Sequence, residues 1–276
     1  MRIAMLGLAA VAALLVAPQG QAGTPYPVKM SCAVGGEAFT HTATASYSTW
    51  GSRPDGKPYG SWTFPMPLPV CPGNGLVMYR DFEKAEIALL TGLVASPEYR
   101  ALVAARETPY FRAAWLESRL APGSEDAPWI LLQATWETDD DPERQARYDA
   151  AFVTVIDALP AKAGDLTWVA LQGRAANAER QLGRFDAAAK RLAAVDSKVF
   201  TEGDPDKARS RAGWKIFYED LGVVIARRDA SREPLDMIDD RTAAWKCKAM
   251  LDRSKAQPAG FCERPEIAKL IAGAQD

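Results

Sequence analysis

The chain has 276 residues, 48% of them hydrophobic, and balances 33 basic against 35 acidic side chains for a net charge of −2. That length and apolar content are ample for a sizeable core, while the charge balance, with no basic run longer than two, argues against nucleic acid as a partner. A single histidine in the whole chain excludes the H-E-x-x-H and two-histidine metal motifs.

The N-terminus begins with one charge, Arg2, then an apolar run from Ile3 to Val16, then Pro18 and the small-residue stretch Gly20-Gln21-Ala22. This order predicts a cleavable secretory signal over residues 1–22. The apolar run is shorter than the roughly 20 residues that a bilayer span takes, and no other segment approaches that length. The mature protein is therefore expected to start near Gly23, with no membrane association after cleavage, in the periplasm or the medium. Export places the four cysteines in an oxidising space, where disulfides persist. Three pairings are possible. Cys32 with Cys71 and Cys247 with Cys262 are preferred, because each pair is bracketed by turn residues within one local unit, and such bridges stabilise by roughly 4 and 3 kcal/mol respectively in the chain-entropy account.

Residues 23–80 form a head dense in proline, glycine and aromatic residues, with no helical period. Short strands are expected at Phe39–Tyr47 and Ser61–Phe64, with a turn at Arg53-Pro-Asp-Gly-Lys-Pro58 between them. Pro65, Pro67 and Pro69 favour extended polyproline geometry leading into Cys71. From residue 81 to 276 the pattern turns helical. Ser96-Pro97, Thr108-Pro109, Asp141-Pro142 and Asp204-Pro205 each place a capping oxygen before a proline at the first helical position. Apolar stripes such as Tyr148, Phe152, Val155, Ile156 and Leu159, or Trp214, Phe217, Leu221 and Val224, recur at helical spacing. Short connectors at Pro160 to Asp165 and at Gly183-Arg184 make consecutive helices antiparallel neighbours.

One hairpin is more specific. Trp168 to Ala188, with Ala176 and Ala188 at close-packed positions and Gly183 at the turn, resembles a tetratricopeptide unit, although Glu179 stands where an aromatic is usual. The fold class expected is mainly α: antiparallel helical hairpins of tetratricopeptide-like type behind a small irregular β-containing head. Cys32-Ala-Val-Gly-Gly-Glu-Ala-Phe39, Cys71-Pro-Gly-Asn74-Gly75, Asp81-Phe82, Phe111 to Leu116 and Leu182 to Ala188 together resemble the uncharacterised bacterial family numbered 2225 among the domains of unknown function. That family has a cysteine-knuckle head followed by tetratricopeptide-like helices. The resemblance implies architecture and no reaction. Where its C-x-x-C pairs imply zinc, Gly35 and Asn74 replace the second cysteines here, so the metal is not carried over and a disulfide is expected in its place.

No motif specifies catalysis. A residual metal set of Cys32, His41 and Cys71 with Asp55 can be drawn, but His41 reads better as a surface residue on a strand. Asp139-Asp140-Asp141 lacks the glycine and terminal glutamate of a calcium loop and reads as a helix cap. No glycine cluster forms a phosphate loop, so neither metal nor nucleotide cofactor is expected. Two binding surfaces remain. Asn177 and Arg180, beside the buried stripe, sit where tetratricopeptide units present their concave face, and Trp50, Arg53 and Trp62 belong to an aromatic-rich head loop. The expected function is an exported binding or scaffold protein that recognises a protein or peptide partner through the helical-repeat surface. The alternative is a periplasmic hydrolase of cell-wall or sugar material using Asp and Glu residues; a deep pocket with two converging carboxylates favours the hydrolase, and an open aromatic groove favours binding.

Overall fold

The computed structural model describes residues 23–162, 164–254 and 260–273. Residues 1–22, on which the signal-peptide expectation falls, lie outside the described residues. The head opens with β1 (Pro25–Ser31) paired antiparallel to β2 (Ala38–Thr44), in register from Pro25 opposite Thr44 to Ser31 opposite Ala38. A second two-stranded sheet joins β3 (Thr49–Ser52) to β4 (Pro58–Gly60), and the predicted turn at Arg53 to Lys57 is its connection. The strand expected at Ser61–Phe64 does not form. Phe64 instead precedes Pro65, whose ring restricts it, and buries its own ring edge-on against Tyr47 at 5.4 Å.

Ten helices follow among the described residues: α1 (Lys84–Ala95), α2 (Pro97–Ala104), α3 (Pro109–Leu120), α4 (Asp126–Trp136), α5 (Pro142–Asp157), α6 (Leu166–Gln181), α7 (Phe185–Ala193), α8 (Ala208–Ala226), α9 (Asp240–Ser254) and α10 (Pro265–Gly273). Three of the four predicted caps start α-helices: Ser96 Oγ accepts from Tyr99 N, Thr108 Oγ1 from Phe111 N and Asp141 Oδ1 from Arg144 N. The fourth, Asp204, caps a short 3₁₀ turn that runs into α8. From α3 to α8 each helix packs on the next as successive hairpins, and α9 pairs with α10. No single described helix is long and apolar enough to cross a membrane.

The core is assembled hairpin by hairpin. Tyr148, Phe152 and Ile156 of α5 meet Leu131, Leu132 and Ala134 of α4 and Leu171, Ala175 and Ala178 of α6. Ala176 and Ala188, both 0% exposed, let α6, α7 and α8 approach around Leu221 and Val224. Glu179, in place of the usual aromatic, is buried and meets Arg191 of α7 at 2.8 Å, while Arg191 also reaches Asp157 and Gln172. A buried ion pair thus does the cross-hairpin work that a ring does elsewhere.

Both preferred disulfides are formed: Cys32 to Cys71 closes 39 residues and Cys247 to Cys262 closes 15. The two N-terminal cysteine loops bond alike. Cys32 N donates to Glu37 O and Gly36 N to Cys32 O, as Cys71 N donates to Leu76 O and Gly75 N to Cys71 O. Asn74 lies at the position of a second knuckle cysteine and donates to Val34 O of the opposite loop at 3.0 Å. The bridged loops pack with Leu76 onto Leu90, Val94, Tyr99 and Leu116, so they share one core with α1, α2 and α3. Among the described residues no group of three or more His, Cys, Asp or Glu converges to hold a metal, and His41 lies half-buried on β2.

Candidate binding cleft

The turn between β3 and β4 is driven into the helical body. Gly56 takes φ +89°, and a Cβ there would press on Arg174 and Trp136, so the close approach needs glycine. Arg53 pairs with Asp55 at 2.7 Å and with Asp139 at 2.8 Å; Lys57 meets Asp139 at 2.6 Å and Trp136 O at 2.7 Å. Arg174 of α6 donates to Pro54 O, and Trp136 Nε1 to Asp55 O at 3.2 Å. Arg232, from the segment after α8, reaches Asp139 at 3.1 Å and donates to Thr135 O. Burial would lower the Arg53 guanidinium, but Asp55 and Asp139 hold it above its ordinary value. Burial brings Arg174 down to about 10, so it stays cationic at neutral pH.

The surface expected to meet a partner is therefore covered by the protein itself, by the head turn at Arg174 and by the α8–α9 connection at Arg180. Asn177 is 1% exposed and Arg180 0% exposed. Arg180 donates to Asn177 Oδ1 at 2.8 Å and to the carbonyls of Asp229 at 2.5 Å and Ser231 at 2.8 Å. These two residues clamp the α8–α9 connection onto α6 and are not presented to a partner. Arg53, 6% exposed, is likewise a docking residue. Trp62 is half-buried against Gly23. Asp139 acts beyond the expected cap: Asp141 caps α5, while Asp139 is the anchor for Arg53, Lys57 and Arg232.

Trp50 has a different fate. It is 54% exposed on β3 and lines a cleft of about 600 Å³ with Tyr59, Glu233, Arg241, Trp245 and Lys246. Trp245, on α9, is 67% exposed. Arg241 lies one helical turn before Trp245, so both sit on one face. Glu233 accepts from Tyr59 Oη at 2.7 Å and pairs with Lys246. Burial would raise the Glu233 carboxyl, but the bonds from Lys246 and Tyr59 hold it below its usual range. Burial and that same carboxylate push the Tyr59 phenol up. Glu233 is thus neutralised within the wall. Arg241 makes no ion pair among the described residues, which leaves the cleft with two exposed indoles and one free cation.

Other large clefts lie among the described residues. One of about 710 Å³, between α7 and α8, is mostly apolar with Lys198, Lys215 and Glu219 on its walls. One of about 940 Å³ lies between the Cys71 loop and the α2–α3 connection. Each of these three holds one carboxylate. Glu125 and Asp165 do share a pocket, but it is only about 80 Å³, Glu125 is paired with Lys162, and Asp165 caps α6.

Neither a family model nor a curated protein nor a solved structure matches this chain.

Sequence reasoning singled out Trp50 and Tyr59 in the aromatic head but missed Glu233, Arg241, Trp245 and Lys246. The spacing Arg241-x-x-x-Trp245-Lys246 next to Cys247 was the available signal: an indole on the polar face of a disulfide-anchored helix.

Proposed function

We propose that this is an exported binding protein that takes an extended peptide segment of a protein partner in the Trp50–Trp245 cleft. The segment carries an apolar or aromatic side chain next to a carboxylate. The observation that carries this reading is the pair of tryptophans, each more than half exposed, that line one cleft from β3 and from α9. Leaving so much apolar area in water forgoes about 25 cal/mol per Å², and tryptophan, tyrosine and arginine are the side chains that dominate binding hot spots. Arg241 supplies the free cation for the carboxylate, and Glu233 with Lys246 fixes the position of Tyr59.

The distribution of one carboxylate per large cleft supports binding over two-carboxylate hydrolysis. Export to the periplasm or medium is supported by the two disulfides, which persist in an oxidising compartment. The matching bonds of the two cysteine loops support kinship with knuckle-headed proteins of the family numbered 2225, with a disulfide standing where the metal would be.

Panning a phage-displayed random peptide library on the oxidised protein tests the reading. Enriched peptides should combine an aromatic residue with Asp, Glu or a free C-terminus, and should lose at least tenfold in affinity on the Trp50→Ala/Trp245→Ala double variant. Both side chains are exposed, so the variant keeps its fold. Enriched peptides that bind wild type and variant equally would refute the assignment.

A further inference from the structure

The cleft of about 940 Å³ between the Cys71 loop and the α2–α3 connection has a different chemistry. Its walls include Arg100, Arg106 and Arg112, the Pro72–Gly75 loop and a single carboxylate, Glu107. Glu107 is already satisfied: Arg147 Nη1 lies at 2.6 Å and Tyr148 Oη at 2.5 Å, and although burial would raise it, these partners hold it below its ordinary range. Its charge is spent away from the cleft, leaving three guanidiniums.

Each of the three has donors to spare. Arg112 is 8% exposed; its Nη1 donates to Gly75 O at 2.8 Å, and its Nε is buried without a partner. Arg100 is exposed and uses one nitrogen on Ala95 O. The Arg106 side chain makes no hydrogen bond, ion pair or ring contact among the described residues. Its backbone is the more telling observation. Arg106 sits just past the C-terminus of α2 with φ +53°, its amide bonding Val103 O and the next amide Leu102 O. That is a Schellman cap, whose left-handed residue is most often glycine. Arg228, past the end of α8, is the other described non-glycine residue with positive φ, but it lies over the Phe185 ring at 4.8 Å. Arg106 has no such local compensation, and residues held in unfavourable conformations concentrate at functional sites. The first amides of α3 are not the attraction, because Thr108 N bonds Tyr148 and Tyr110 N bonds Glu137.

We propose that this cleft binds a small multiply charged oxyanion, gripped by Arg100, Arg106 and Arg112. Guanidinium forks suit the planar or tetrahedral oxygens of carboxylate and phosphate groups. The site is separate from the tryptophan cleft and does not depend on the peptide-binding reading.

Isothermal titration of the oxidised full-length protein with inorganic phosphate and, separately, with citrate tests it, at ionic strength matched with sodium chloride. Saturable binding of phosphate assigns a phosphoryl ligand, and saturable binding of citrate alone assigns a polycarboxylate; either supports the site. Arg106→Gly supplies the residue that the cap prefers, so its melting temperature should equal or exceed that of wild type while oxyanion affinity falls at least tenfold. Arg100→Gln should weaken binding in the same direction. Saturable binding of neither probe, or binding undiminished in Arg106→Gly, overturns the proposal. The general stabilising effect of phosphate on folded proteins is common to wild type and variants, so the comparison cancels it.

Discussion

Asp149 offers the sharpest test of the buried electrostatics of the helical body. It lies on α5, 4% exposed, with Gln145 Nε2 at 3.5 Å as the one partner of its side chain among the described residues. Burial is the largest influence and raises its carboxyl to about 7; Arg232 and Arg180 oppose that rise, and Asp55 adds to it. In the unfolded chain the group returns to its ordinary 3.8. Between these values the folded protein keeps a proton that the unfolded chain has lost, so stability falls as pH rises, by about 1.36 kcal/mol per unit. The fall begins near the unfolded value and is complete above about 7, for a total of about 4 kcal/mol. Asp149→Asn keeps the volume and the contact with Gln145 but cannot ionise. The stability of the variant relative to wild type should therefore rise by about 4 kcal/mol between about pH 4 and about pH 8, read from urea unfolding at both ends. Glu137, which burial also raises, titrates in both proteins and cancels in the difference. A relative stability that changes by less than about 1 kcal/mol across that range would refute the buried, poorly compensated carboxyl.

Removing the Arg180 clamp leaves the carbonyls of Asp229 and Ser231 and the Asn177 side chain without their donor; Arg180→Ala should cost about 3 kcal/mol in denaturant unfolding. Gly56→Ala forces an L residue to φ +89° at 3.3 Å from Arg174 and should cost at least about 1 kcal/mol, with faster hydrogen exchange at the Arg53–Lys57 turn as the local readout. Cys247→Ser/Cys262→Ser opens a 15-residue loop and should lose about 3 kcal/mol, which calorimetry would register as a fall in Tm of roughly 10 °C.

What the sequence made legible was local. Ser96, Thr108 and Asp141 cap helices through contacts three residues away, and the turn at Gly183 takes the positive φ that its place between two helical patterns requires. The sheet of β3 and β4 escaped because Gly51, Pro58 and Gly60 interrupt any alternating pattern. Glycine is nonetheless needed there: a Cβ at Gly60 would lie 2.6 Å from Ser48 O, so what hides the strand is what lets the backbones meet. Asn177 and Arg180 were read from helix geometry alone, which cannot say what covers them. The cover comes from residues 53–57 and 229–233, far away in sequence. Asp139, Arg174 and Arg232 carry that docking, and no spacing rule links them.

This arrangement changes where recognition falls. In an open helical repeat the concave face is free for a partner; here the Arg53–Lys57 turn and the α8–α9 connection cover the surface expected to meet one, the turn's carbonyls at Pro54 and Asp55 being held by Arg174 and Trp136 much as a bound peptide would be. The head behaves as a built-in ligand of its own body. Undocking it would break the Arg53–Asp139 and Lys57–Asp139 pairs and the bonds from Arg174 and Trp136 together. What the docking creates in exchange is a seam. Tyr59 of β4 is brought to Glu233, and Glu233 to Lys246 of α9, so the tryptophan cleft exists only because the head is seated. A variant that loosens the turn should therefore weaken peptide binding at Trp50 and Trp245 without touching either residue. Gly56→Ala is the variant that separates a cleft assembled by docking from two tryptophans that merely happen to be exposed.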